Sequence, residues 1–263
     1  MPEGRGWPGP CWNDRVDNDD LATAGFADGV RYQSARPDYP AEAVDYLVAT
    51  LGITARSHVV DLGAGTGIFT AQLARFGCRI TAVEPTAGMR DVLAGRLSGV
   101  EVLDGRDVDI PLVTSSVDCV VVAQAFHWFD ASRALEEIHR VLVEGGGLGL
   151  VWSERDDTVE WVAELGRAMR WLQHRPYDMV TDFTPVILEG PFEHVEHRRF
   201  RHHQRLDHAR LIQRVRSSSY IAVMAGAERS ELMADVAEVV RTLPETVDLP
   251  YVTTAYRATA RRR

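Results

Sequence analysis

The chain predicts an open α/β fold, a mostly parallel sheet with helices on both faces. Three observations carry that prediction. Short apolar runs of strand length alternate with longer amphipathic stretches as far as Trp152, the order that β-α-β units produce. Val117 to Ala123 is almost unbroken apolar sequence, as a parallel strand buried on both faces requires. Val59, Val60 and Leu62 run into a glycine cluster, Gly63, Gly65 and Gly67, that opens onto a helix.

Residues 1 to 25 carry Pro, Gly, Asn and Asp with little periodicity and are expected to form a flexible extension, with residues 26 to 263 as one domain. Pro37 and Pro40 shape the approach to a helix over Ala41 to Leu51, whose buried face is Val44, Leu47, Val48 and Leu51. After the first strand and the glycine turn, Thr66 is the expected cap of a helix with Phe69, Leu73 and Phe76 inward. A second strand, Arg79 to Val83, brings Glu84 to the neighbouring strand tip, 17 residues after Gly67. A helix over Thr86 to Leu97 and a third strand, Val100 to Leu103, follow.

The fourth strand, Val117 to Ala123, ends in the run Gln124-Ala-Phe-His-Trp-Phe-Asp130, and Asp130 caps a helix facing Leu135, Ile138, Val141 and Leu142 inward. Gly145 to Gly147 close that helix, and Leu148 to Trp152 is the fifth strand. Residues 157 to 173 predict a helix with an Asp157/Glu160 capping box. Residues 174 to 190 lack periodicity and are expected to form a cap or substrate-side loop. A strand over Phe192 to Phe200, helices over Asp207 to Ser217 and Glu228 to Leu243, and a strand over Leu249 to Tyr256 complete the chain.

With 263 residues, 45% of them hydrophobic, the chain can bury one substantial core. A formal charge of −9, with arginine and no lysine as the basic component, argues against general attraction to nucleic acid. There is no apolar run of about 18 residues and no basic-then-apolar leader, so a soluble protein with no membrane partner is expected. Cys11, Cys78 and Cys119 are an odd set without metal-type spacing and fit a reducing cytoplasm. His194, His197, His202, His203 and His208 fall on different faces of a strand by alternation, so no metal site is expected there. The oligomeric state is not encoded in any of these features.

The glycines carry no Cβ and let the backbone approach a ligand, and an acid at the position of Glu84 hydrogen-bonds ribose hydroxyls in nucleotide-binding βαβ units. The spacing is G-x-G-x-G preceded by Asp61, not the G-x-G-x-x-G that seats a pyrophosphate. A nucleoside cofactor without a diphosphate is therefore expected. His127 is either a structural histidine among packing aromatics or a functional group at a strand end beside the switch point of the sheet.

The DLGAGTG turn followed by the VEP strand end resembles the cofactor site of class I S-adenosylmethionine (SAM)-dependent methyltransferases. Tyr32-x-x-x-Arg36-Pro37-x-Tyr39-Pro40 and the QAFHWFD run resemble a small-molecule branch of that family that includes trans-aconitate methyltransferase. The resemblance implies a Rossmann-like, doubly wound sheet of seven strands in the order 3-2-1-4-5-7-6, the last strand antiparallel. It implies SAM as cofactor, held by Asp61, Gly63, Gly65 and Glu84, with Arg36 on its carboxylate and Tyr32 beside its sulfonium. Arg106 stands where the family usually carries an acid, so Asp107 or the backbone is left to take the adenine amino group. Gln124 is expected at both cofactor and acceptor. The implied reaction is in-line methyl transfer to a small-molecule acceptor, a carboxylate or a hydroxyl. His127 serves as base, or orients a carboxylate together with Gln124 and Trp128. The alternative is a non-catalytic SAM-binding protein of the same fold acting as partner or regulator.

Overall fold

The structure, a computed structural model, describes residues 36–174, 182–218, 220–221 and 224–263. Tyr32 and the expected extension over residues 1 to 25 lie outside the described residues. Helix α1 (Ala41–Thr50) precedes β1 (His58–Leu62), α2 (Ile68–Ala74), β2 (Arg79–Val83), α3 (Ala87–Arg96) and β3 (Glu101–Leu103). Then come β4 (Val117–Ala123), a 3-10 turn over Phe126–Trp128, α4 (Ala131–Val141) and β5 (Leu142–Arg155). The remainder holds α5 (Glu160–Ala168), α6 (Trp171–His174), α7 (Thr184–Glu189), β6 (Phe192–Asp207), α8 (His208–Arg216), α9 (Gly226–Thr242) and β7 (Thr246–Ala260).

The seven strands form one sheet in the order β3-β2-β1-β4-β5-β7-β6. Every pairing from β3 to β5 is parallel, and β7 runs antiparallel to both β5 and β6. The expected order and the antiparallel last strand are both present. Because β1 has β2 on one side and β4 on the other, the chain reverses its direction of progress between them, and their carboxyl ends open a crevice.

Alternation along the central strands sorts the core into two layers. Val60, Leu62, Val120, Val122 and Leu150 face α4, while Val59, Val121 and Val151 pack with Leu47 of α1 and Phe69 of α2. A third cluster, including Val162, Leu165, Leu211, Leu232, Val236, Leu249 and Tyr251, joins α5, α8 and α9 to β6 and β7. Ile138→Ala, which empties a fully buried position of α4, is expected to cost about 2–5 kcal/mol of stability. Urea denaturation would read this as a lower midpoint at unchanged slope.

The structure differs from the expected elements where local pattern was overridden. Thr66 does not cap α2; the cap position is Gly67 in the left-handed region at φ 80, and Thr66 is buried beside it. Asp130 does cap α4, accepting from the Arg133 backbone N–H at 3.3 Å. The Asp157/Glu160 capping box does not form, since α5 starts at Glu160 behind Val159 with no side-chain cap. The expected helix over 157 to 173 splits at Arg170, which takes φ 52. Strand β5 starts at Leu142, so the glycines expected to end a helix lie inside a strand. A Cβ on Gly147 would sit 2.7 Å from Leu51 Cδ2, so α1 packs against bare backbone there. Within the expected cap over 174 to 190, Phe183, Val186 and Ile187 are buried in the main core and α7 packs on α4. Residues 175 to 181 of that stretch lie outside the described residues.

Candidate active site

The corner after β1 is assembled from backbone. Gly63 takes φ 71, and its N–H and that of Ala64 both donate to the Val83 carbonyl, at 2.8 and 3.2 Å. A Cβ on Gly63 would lie 2.6 Å from Ala125 Cβ, so the glycine turn packs directly on the QAFHWFD segment. Gly65, at φ 57, has only the Met89 sulfur, 3.5 Å from its would-be Cβ. Its N–H donates to Glu84 Oε2 at 2.9 Å, and the Thr86 N–H donates to Glu84 Oε1 at 2.9 Å. The nearly buried Glu84 carboxylate is thus aimed by two main-chain donors, and each oxygen keeps a lone pair for a ligand.

Beneath the turn lies Asp61, fully buried. Its Oδ2 accepts from Thr70 Oγ1 at 2.6 Å, while Oδ1 has no partner among the described residues. Burial pushes its carboxyl up to about 7 against the opposing Thr70 hydrogen bond, and the nearby Glu84 charge adds to the rise. A buried acceptor lacking a donor, under a glycine turn, fits a cationic ligand group such as an ammonium. A cofactor joining an ammonium to a ribose therefore suits the pair Asp61 and Glu84.

On the other side, the Arg106 and Asp109 main chains bond reciprocally at 3.1 and 3.2 Å, making a tight turn that leaves the Arg106 residue exposed. Asp107 Oδ2 accepts from the Asp130 N–H at 3.0 Å, tying the loop after β3 to the start of α4. Burial raises the Asp107 carboxyl.

Gln124 takes φ 57, a conformation only a few per cent of non-glycine residues adopt. Its side-chain amide pairs with the main chain of Ser153, donating to the carbonyl at 3.0 Å and accepting from the N–H at 2.7 Å. Gln124 thereby clips the end of β4 to β5 at the cavity it lines. His127, in the 3-10 turn, lies 4.6 Å from the Trp128 ring and edge-on to Trp152 at 4.9 Å between centroids. Burial, reinforced by the Arg36 charge, lowers its imidazole to about 3, so the ring is neutral at ordinary pH. Arg36 Nη2 donates to the Ser217 carbonyl at 3.3 Å, fastening the lead-in to the end of α8.

These residues meet at a cavity of about 590 Å3. Arg36, Gln124, His127 and Trp128 line it, as do Arg155, Arg214, Trp171, Tyr220 and Tyr251, which sequence reading did not single out. The structure brings Asp61, Gly63, Gly65 and Glu84 together at the corner, and Gly63 on Ala125 joins corner to cavity. Asp107 sits apart, bound to the start of α4.

A family model described as a methyltransferase domain matches residues 60–150, which spans the corner and the strand carrying Gln124. An uncharacterised methyltransferase of Mycobacterium tuberculosis is 40% identical over 233 residues, covering 87% of this chain and 92% of its own length. The chain belongs to the class I SAM-dependent methyltransferases. The likeness of fold extends beyond residue 150 as well. A solved structure assigned as a type II methyltransferase from Anaeromyxobacter dehalogenans is 26% identical, with TM-score 0.64, over 86% of this chain and 97% of that one. The phosphoethanolamine N-methyltransferase 2 of Haemonchus contortus, solved with phosphomonomethylethanolamine and S-adenosylhomocysteine, shares the fold. It aligns at TM-score 0.55 and 14% identity over 94% of this chain and 61% of its own. No helix among the described residues of this methyltransferase is long and apolar enough to cross a membrane.

Proposed function

We propose that the protein transfers the methyl group of SAM to a small-molecule acceptor in the cytoplasm. The observation that carries this reading is the direct packing of the glycine corner on the segment that walls the cavity. SAM, when bound, supplies a methyl on a sulfonium that is already a good leaving group. What remains for the chain is to hold donor and acceptor in line, an effect worth roughly 7–11 kcal/mol in near-attack geometry.

Glu84 holds the ribose hydroxyls and the Gly63 to Gly65 backbone lies against the cofactor. Asp61 answers its ammonium, and Arg36 its carboxylate. Asp107, whose Oδ2 is held by the Asp130 N–H, or the adjoining backbone meets the adenine. Gln124 acts by fixing the strand ends as well as by facing the ligands. The resemblance of QAFHWFD to the branch that includes trans-aconitate methyltransferase supports an acceptor that attacks through an oxygen.

The lowered imidazole bears on how His127 works. A base whose conjugate acid ionises near 3 takes up a proton poorly, so His127 orients the acceptor as a neutral group together with Trp128. No limb of the turnover profile near pH 6.5 is accordingly expected to belong to His127, whose imidazole stays neutral down to about pH 3, and any limb near 7 belongs to Asp61 and persists in His127→Ala. A pH profile of kcat from 5.5 to 8.5, compared with His127→Ala, checks this; a wild-type limb near 6.5 that vanishes in the variant would refute it. The functional reading itself is tested by calorimetry with SAM, and absence of binding, or binding of NAD instead, would overturn it.

A further inference from the structure

We propose that the methyl acceptor is a small organic acid, anchored through a carboxylate by Arg155 and Arg214. This deepens the methyltransferase reading and rests on it for the assignment of the cavity to the acceptor.

Arg155 is the last residue of β5 and Arg214 lies on α8, and both line the cavity. Their partners among the described residues are all neutral. Arg155 Nη1 donates to the Met169 sulfur at 2.9 Å, and its guanidinium carbon lies 5.4 Å from the Trp171 ring centroid. Arg214, 7% exposed, donates from Nε to the Tyr251 hydroxyl at 3.0 Å and from Nη1 to Ser217 Oγ at 3.4 Å. Neither makes an ion pair among the described residues. Glu154 and Asp157 also line the cavity.

Other arginines at the same cavity are treated differently by the fold. Arg170 is paired with Glu231 at 3.1 Å and Asp235 at 3.5 Å, and Arg167 with Glu160 at 3.1 Å. Folding gives those two a carboxylate partner and, among the described residues, gives none to Arg155 and Arg214. Burial first, then the charges of Arg214 and Arg36, draw the Arg155 guanidinium down to about 10, so it remains a cation at neutral pH. Unpaired cations facing a walled cavity are tolerated where a ligand supplies the counter-charge.

The planar guanidinium fork matches a carboxylate in two-point geometry. Trp171, Tyr220 and Val162 offer apolar wall for the carbon skeleton. Two guanidiniums draw electron density away from the carboxylate they hold, so that group serves as the anchor and the methyl is accepted at a separate nucleophilic atom.

The test uses the full chain and calorimetric titration with citrate, succinate, benzoate and phenylacetate, each beside its neutral amide, and with inorganic phosphate. At least one carboxylate is expected to bind, its amide not, with Arg155→Gln and Arg214→Gln each weakening binding about tenfold or more. Arg167→Gln, whose charge is already met by Glu160, is expected to change binding less than about twofold. Arg155→Lys keeps charge without the fork and is expected to fall between wild type and Arg155→Gln. SAM titrations on the same samples report folding and separate the two readings. Normal SAM binding with every carboxylate weaker than about 10 mM would overturn the anchor and leave the methyltransferase standing. Carboxylate binding that is lost in Arg155→Gln, with no SAM binding, would support the anchor and overturn the methyltransferase reading. Phosphate binding tighter than any carboxylate through the same arginines, or binding indifferent to both variants, would overturn the carboxylate assignment.

Discussion

Glu84→Ala is expected to weaken SAM binding by about 100-fold, since hydrogen bonds to a charged acceptor contribute about 1.5–3 kcal/mol each. The wild-type carboxylate accepts from the Gly65 and Thr86 N–H groups, both at 2.9 Å, and is 6% exposed. Those two bonds fix its position before any cofactor arrives. Removing it takes away the acceptor for the ribose and strands two main-chain donors at the corner, so the backbone next to the ligand also loses its brace. Glu84→Gln keeps the shape but turns an NH2 group toward one of the two donors, so a loss of about tenfold is expected instead. Calorimetry with SAM reads both. The loss of a negative charge beside Asp61 has a second consequence, because Glu84 helps to hold the Asp61 carboxyl up near 7. In Glu84→Ala, Asp61 ionises at lower pH. A SAM affinity within about threefold of wild type in Glu84→Ala would show that the ribose is held elsewhere.

The half of the chain up to Trp152 was legible because parallel strands buried on both faces leave continuous apolar runs, and because a tight ligand-binding corner demands glycine. The edge was less so. β6 carries Glu193, Glu196 and a run of arginines and histidines, exposed on one side or both, and charge of that kind masks a strand when only apolar runs are counted. Its length became visible only through its register with β7, which pairs from Phe192–Ala260 to Asp207–Thr246. Caps failed where packing set the helix start: Thr66 is consumed by the core, and Val159 stands where the Asp157/Glu160 pattern wanted a polar cap.

The placement of Asp61, Glu84 and His127 at or just after strand ends around the switch point was legible in the sequence. The neutral state of His127 was not, since it depends on Trp152 and Arg36, which reach it from other elements. Arg155 and Arg214 were invisible for the same reason. One ends a strand and the other lies mid-helix, and only the third core cluster of α5, α8 and α9 brings them to one wall.

Gly63→Ala tests whether the contact between corner and cavity wall is what the two sites share. At φ 71 a non-glycine residue costs about 1–2 kcal/mol. The new Cβ would lie 2.6 Å from Ala125 Cβ and 3.4 Å from Phe129 Cζ, and forcing such overpacking costs about 1–3 kcal/mol more. Together these amount to roughly 2–5 kcal/mol, and at about 2–4 °C per kcal/mol for a domain of this size the melting temperature is expected to fall by about 4–20 °C. Gly145→Ala supplies the contrast, because Gly145 has φ 72 but nothing within 4 Å of its would-be Cβ. It is expected to cost only the backbone share, about 1–2 kcal/mol, and to leave SAM binding unchanged. In Gly63→Ala the collision pushes on Ala125, which leads into the turn carrying His127, so SAM affinity and turnover are expected to fall with stability. Ala125→Gly should then relieve the collision, making the double variant Gly63→Ala/Ala125→Gly more stable than Gly63→Ala by about 1 kcal/mol or more beyond additivity. Strict additivity in that cycle would show that the damage comes from the backbone of Gly63 alone and that corner and wall are not coupled through this contact.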